Sequence, residues 1–363
     1  MSLEKLKEML NNDLPDCLYH YTSRDSFIGI MKNKEFWASH IRFMNDLEEE
    51  KLAEKKLLEQ LDIIFKNENK YIVEELKDKV VNAIRNEMNQ KGIFIVSLSE
   101  ENDELNMWRG YGNKIPSYCI ELSSEKFVDQ FKSELKSNDD EMNAKMLKIF
   151  NILNNDELLN DSTFKIWTFE ERKQKIYLLP CLYSAEDQNT LMREIIVDSK
   201  SYLDRLGNKV TEKSLSEEIA KRFIFYAPII KDSHFKTEKE WRIVILYEKS
   251  VEPKFSKNDL EEKLKNAENE SERKRIEHEI EEYEDNLGRL KEDEELLNYR
   301  FGNSFIIPYH KFKFNTDCIT KVTIGACPDK ESVEESTIYF LQQVGFKNAD
   351  SIVVSSKIPF RSW

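Results

Sequence analysis

Four short runs of this chain carry side chains able to do chemistry. The first is Leu18-Tyr19-His20-Tyr21-Thr22-Ser23. An imidazole is both donor and acceptor, and a histidine near the end of a short strand, just before a helix cap, stands at a sheet edge where ligands dock. The competing reading is a core histidine satisfied beside two tyrosines. The second run is Phe43-Met44-Asn45-Asp46 with Glu48 and Glu49. Asn-Asp is a natural helix cap and acids suit a first helical turn, which accounts for them without a ligand. The third is Asn106-Met107-Trp108-Arg109-Gly110-Tyr111-Gly112. Its glycines permit close backbone approach. Trp108 offers a stacking face, and Arg109 a planar fork for phosphate or carboxylate. A structural turn with an internal Arg–acid bridge is the alternative. The fourth is Phe235-Lys236-Thr237-Glu238-Lys239-Glu240-Trp241-Arg242. Two carboxylates at i and i+2 share a face in a strand, where repulsion raises one pKa for acid or base work. Otherwise Glu240 pairs with Arg242 or Arg109 in a polar loop.

These residues need elements to hold them. Strands are expected at Cys17–Tyr21, Glu35–Ala38, Ile93–Leu98, Tyr118–Leu122, Ile176–Tyr183, Trp241–Tyr247, Phe305–Ile307, Val322–Ile324 and Ile352–Val354. Glu194–Val197 reads as a strand or a helix edge. Helices are expected around Leu6–Leu10, after a Ser23 cap with Phe27, Ile28, Ile30 and Met31, over 47–89 with a break near Lys70, over most of 124–175, over Leu215–Phe225, and over Ser332–Gln343 ended by Gly345. Strands and helices mix without βαβ alternation. The fold class is therefore α+β: a mixed, mostly antiparallel sheet core with surrounding helices. Residues 256–298 stand apart, with 16 acidic and 8 basic residues and two apolar seams out of phase across Glu270–Arg275. They read as an inserted antiparallel helical hairpin capped by Ser256 and Ser271. It packs on itself, or serves as a partner or self-association arm.

Composition removes several classes. The chain has 363 residues, 40% hydrophobic, with a formal net charge of -14. That is enough for a large core, and an overall acidic field does not draw nucleic acid or anionic membrane. No run of about 18 apolar residues marks a membrane span. Met1–Asn12 lacks the apolar core of a secretory signal. The five cysteines are scattered and odd in number, which fits a reducing, cytoplasmic setting. No Cys/His pair has zinc spacing, so no metal is expected. Phosphate-loop, dinucleotide-fingerprint, nucleophile-elbow and zinc-protease motifs are all missing.

The ordered combination LYHYTS (18–23), FWASHIRFMND (36–46), FIVSLSEENDELNMWRGYG (94–112), HFKTEKEWRIV (234–244), FIIPY (305–309), KVTIGACP (321–328) and SSKIPFRSW (355–363) resembles the bacterial family called domain of unknown function 2971. That resemblance implies one family domain over 1–363, with 256–298 as an insertion. It brings little function, although some members sit near antiphage defence genes. A second resemblance is narrower. Tyr-His-Tyr-Thr-Ser, the following helix and Phe36-Trp37-Ala38-Ser39 look like the start of ADP-ribosyltransferase folds. It implies NAD as the nucleotide, His20 on the ribose, Ser39 or Trp37 beside the nicotinamide, and Glu240 as the acid. No tyrosine stands at the expected second position. The resulting expectation is a nucleotide-using enzyme, a transferase or NAD-consuming effector of defence or toxicity. Glu240 and His20 are its catalytic residues, and Thr22, Ser39, Trp108, Arg109 and Tyr111 join His20 around the cofactor. The alternatives are a non-catalytic nucleotide or phospholigand sensor with Arg109 as anion clamp, and a metal-dependent nuclease drawing on Asp46, Glu48, Glu238 and Glu240.

Overall fold

The computed structural model describes residues 14–44, 48–112, 115–127, 130, 167–171, 174–205, 210–249, 256–267, 269–302 and 305–359. In chain order the elements are β1 (Cys17–Ser23), α1 (Arg24–Asn33), β2 (Glu35–His40), α2 (Glu48–Ile64), α3 (Lys70–Gln90), β3 (Lys91–Ser99), α4 (Leu105–Tyr111), β4 (Ser117–Ser123), β5 (Trp167–Glu171) and β6 (Gln174–Pro180). There follow α5 (Ala185–Arg205), α6 (Glu212–Tyr226), β7 (Glu240–Glu248), α7 (Lys257–Lys265), α8 (Glu270–Leu296), β8 (Leu297–Phe301), β9 (Ile306–Lys313), β10 (Ile319–Ile324), α9 (Lys330–Gln343), α10 (Ala349–Ile352) and β11 (Val353–Ser355). The expected opening helix, the Asn45-Asp46 cap, most of the 124–175 helical reading and the final residues 360–363 lie outside the described residues.

The α+β class holds. One sheet runs β11-β10-β4-β1-β3-β2-β9-β8, and β7, β6 and β5 extend it from β3. Its registered pairs are antiparallel except β10 with β11. The central strands are apolar on both faces, as burial on both sides requires. Ile93, Ile95, Tyr177, Leu179, Val244 and Leu246 face one core, completed by residues of α2, α3, α5 and α6. Their neighbours Phe94, Val96, Leu98, Ile176, Leu178, Ile243 and Ile245 face the other, with Phe27 and Met31 of α1 and Leu341 of α9.

Local chemistry sets many boundaries. Ser23 caps α1, accepting from the Ser26 amide. Asn69 divides α2 from α3 by capping the latter. Gly345, at φ 100°, ends the α9 region as expected. Four expectations are corrected. Glu194–Val197 lies inside α5, because Leu191, Met192, Ile195, Ile196, Ser199 and Leu203 make one helical buried stripe. Trp167–Glu171, read as helix, is β5, pairing with β6. The hairpin starts with Ser256 as expected, but Asn269, not Ser271, caps α8, its Oδ1 accepting from the Glu272 amide at 2.9 Å. Lys257 meets Glu284 at 2.7 Å, and Leu260 and Ile276 are buried. Leu297, read as the end of the hairpin seam, instead opens edge strand β8.

Candidate functional site

The site begins with how β3 shares its edges. On one side β7 follows it from Lys91↔Glu248 to Ser99↔Glu240. On the other side two strands divide it: β1 meets it at Tyr19↔Ser99, and β2 at Ser39↔Ile95 and His40↔Phe94. Between those contacts lie Val96, Ser97 and Leu98, and there the sheet parts around a cavity of about 590 Å³ lined by these three residues. That volume suits a small-molecule ligand. Strand β1 supplies Tyr19, His20, Tyr21 and Thr22 to the lining, and β2 supplies Trp37 and Ser39. Tyr111 of α4, Glu238 of the turn before β7, Glu240 of β7 and Arg300 and Phe301 of β8 complete its polar and aromatic walls.

A strand that loses its neighbour must find other partners for its backbone. His20 serves that need: its Nδ1–H donates to the Ser97 carbonyl at 3.0 Å. The bond fixes the tautomer and leaves Nε2 as the acceptor. Burial holds His20 below the usual histidine range, against the opposing pull of the Ser97 carbonyl. Phe36 braces the ring edge-on at 4.9 Å. Thus a neutral imidazole stands on the cavity wall. Trp37 stacks on Tyr309 at 4.5 Å and stays 41% exposed, a flat apolar wall segment.

The acidic end is a buried charge network. Glu240 is 4% exposed. Its Oε1 accepts from Arg242 Nε at 2.9 Å, and its Oε2 from Arg242 Nη2 at 3.1 Å and from Lys231. Burial acts to raise the Glu240 carboxyl, but Arg242 and Lys231 outweigh it and hold it at about 2. Glu238 accepts from Lys231 at 2.6 Å and from the Tyr111 hydroxyl at 3.2 Å. Burial and the Glu238 charge push the Tyr111 phenol up, so Tyr111 stays a donor. The i, i+2 geometry expected of Glu238 and Glu240 belongs instead to Glu240 and Arg242 on β7. Lys239, at φ 40°, is left-handed and turns the chain between the two acids. Repulsion therefore does not raise the Glu240 pKa. Lys231, which no motif marked and which stands seven positions before Glu238, bridges both carboxylates.

The structure thus brings His20, Thr22, Ser39, Tyr111 and Glu240 to one cavity, and leaves Trp108 and Arg109 off its lining. Trp108 is buried against Tyr21 and donates from its indole to Asp103 at 2.9 Å. Arg109 is exposed. A Cβ on Gly112 would stand 2.5 Å from the Trp108 carbonyl, and one on Gly325 3.0 Å from the Trp108 ring. The Trp-Arg-Gly-Tyr-Gly run is a packing knot that delivers Tyr111. The cavity's arginine is Arg300, which no motif marked. Its Nη2 donates to Ser39 Oγ at 2.9 Å, and its buried Nε has no acceptor among the described residues. Those residues also contain no cluster of three or more His, Cys, Asp or Glu side chains fit to hold a metal ion. None of their helices is long and apolar enough to cross a membrane.

Residues 107–243 match a family model. Its description is protein of unknown function (DUF2971). The match runs from α4 to β7 and takes in Tyr111, Glu238 and Glu240. It is narrower than the ordered motifs, which extend from Leu18 to Trp363. No curated protein and no solved structure matches the chain. The likeness to ADP-ribosyltransferases gains no support from these comparisons and rests on the residues alone.

Proposed function

We propose that the cavity binds NAD and breaks its nicotinamide–ribose bond, passing ADP-ribose to water or to a macromolecular nucleophile. The observation that carries this reading is a neutral His20 with a fixed tautomer in the same cavity as the Tyr111–Glu238 pair. His20 Nε2 accepts from a ribose hydroxyl. Glu238, 16% exposed at its side chain against 4% for Glu240, is the carboxylate a substrate reaches. The C–N bond pair leaves with the pyridinium nitrogen as neutral nicotinamide. Positive charge develops at the anomeric carbon, where an aimed carboxylate lowers the barrier. The nucleophile's oxygen then bonds that carbon and releases its proton. Glu240, expected from sequence to be the acid, holds Lys231 and Arg242 in place.

A second reading, a nucleotide sensor without catalysis, is favoured by one fact. Both oxygens of Glu238 and of Glu240 already accept hydrogen bonds. Each oxygen of Glu238 keeps a second lone pair for a substrate, so turnover decides. Purified protein is incubated with NAD, with ATP as comparison, and both the melting temperature and nicotinamide release are followed. Release that falls about 100-fold or more in Glu238→Gln, with melting of the free protein little changed, is expected. Stabilisation without release moves the assignment to the sensor. No response to either nucleotide removes NAD.

A further inference from the structure

We infer that Arg300 is the phosphate-binding group of the cavity, the anchor by which it selects phosphorylated nucleotides over nucleosides; this rests on the nucleotide reading above. The charge of Arg300 is unmatched among the described residues. Among the described residues, the other acidic and basic side chains lining the cavity, Asp25, Glu238 and Glu240, each have a counter-charge. Glu238 and Glu240 share Lys231, and Glu240 also holds Arg242. Asp25 lies 3.6 Å from the Arg24 guanidinium. Arg300 has a hydroxyl, Ser39 Oγ, and no carboxylate. Its Nε is closed off from solvent without an acceptor.

Half-burying a guanidinium without an anion is unfavourable, since a buried charge is ordinarily paired. Burial acts on Arg300 in the direction that disfavours its charge, and Tyr309 is the neighbour that opposes it. Arginine nonetheless stays protonated and presents a planar fork matched to phosphate oxygens. The anion that completes the group must therefore enter with the ligand. Position agrees with this role. Arg300 stands on edge strand β8 next to Phe301, which also lines the cavity and is 87% exposed. The acidic Glu238–Glu240 network sits on the turn before β7 and on β7 itself, the far side of β3 from β2. A ligand with a neutral sugar and a charged phosphate finds a different wall for each.

The test compares ADP, adenosine and inorganic pyrophosphate by calorimetry, on the wild type, Arg300→Gln and Arg300→Lys. ADP is expected to bind the wild type about 10- to 100-fold more tightly than adenosine, the worth of a charge-assisted pair. Pyrophosphate should compete with it. Arg300→Gln should erase that preference while adenosine binding stays put, and Arg300→Lys, charged but without the fork, should fall between. Equal binding of ADP and adenosine by the wild type, or undiminished ADP preference in Arg300→Gln, overturns the inference. Should Arg300→Gln fail to fold, the wild-type comparison decides alone. Nicotinamide release is measured in parallel. ADP preference without release keeps Arg300 and removes the catalytic reading. Release with an unchanged KM in Arg300→Gln removes Arg300 and keeps catalysis.

Discussion

At the scale of single residues, Glu240 illustrates how a buried charge is tolerated. Its carboxyl lies at about 2 in the folded protein against an ordinary 4.5. The native state therefore binds its proton less tightly than the unfolded chain. Its stabilising contribution is complete above pH 4.5 and is lost as pH falls from there to about 2. Glu240→Gln should cost about 3 kcal/mol at pH 7, since Lys231 and Arg242 lose their counter-charge. The cost should shrink at pH 3. Denaturant midpoints of both proteins at the two pH values check this, and a pH-independent gap would contradict it. The glycines of one motif should answer substitution with opposite signs. Gly112→Ala sets a methyl 2.5 Å from a backbone oxygen, and should cost about 1–3 kcal/mol. Gly110, within α4 with nothing inside 4 Å of its missing Cβ, should gain about 0.5–1 kcal/mol as alanine. Melting temperatures shifted in one direction by both changes would refute the packing knot. Nothing in the sequence separated these two glycines, because what distinguishes them is the Trp108 carbonyl folded back onto one of them.

At the scale of elements, alternation and caps were legible where they are local. Ser23, Ser256 and Gly345 act where their residue types predict. Windows too short misled: Glu194-Ile195-Ile196-Val197 is β-rich alone but belongs to a 21-residue helix. The hairpin gives the test at this scale. Leu260 and Ile276 are buried, at 2% and 3% exposure, whereas Glu261, Glu262, Glu272 and Glu281 are exposed. Leu260→Ala should release hydrogen-exchange protection in α7 and in the facing part of α8, while β3 and β7 keep theirs. Equal loss of protection in the sheet would show that the hairpin is part of the main cooperative unit.

At the scale of the whole molecule, each face of the sheet carries a core of its own. The face under α2, α3, α5 and α6 is core, and Phe223 lies fully buried within it. Phe223→Ala should cost about 3–5 kcal/mol and leave ligand affinity at the cavity unchanged below the melting transition. Coupled loss of both would tie this core to the site. The residue types themselves determined the mixed sheet, most helices, the acidic hairpin and the candidacy of His20, Tyr111 and Glu240, because periodicity, caps and side-chain chemistry act over a few neighbouring positions. Only the tertiary structure decided that β1 and β2 part from the same edge of β3, that Lys231 neutralises two acids, and that Arg300 rather than Arg109 enters the cavity. Those facts depend on strand register and on pairs as far apart as Ser39 and Arg300, and a contact between distant positions leaves no mark on the local pattern of either.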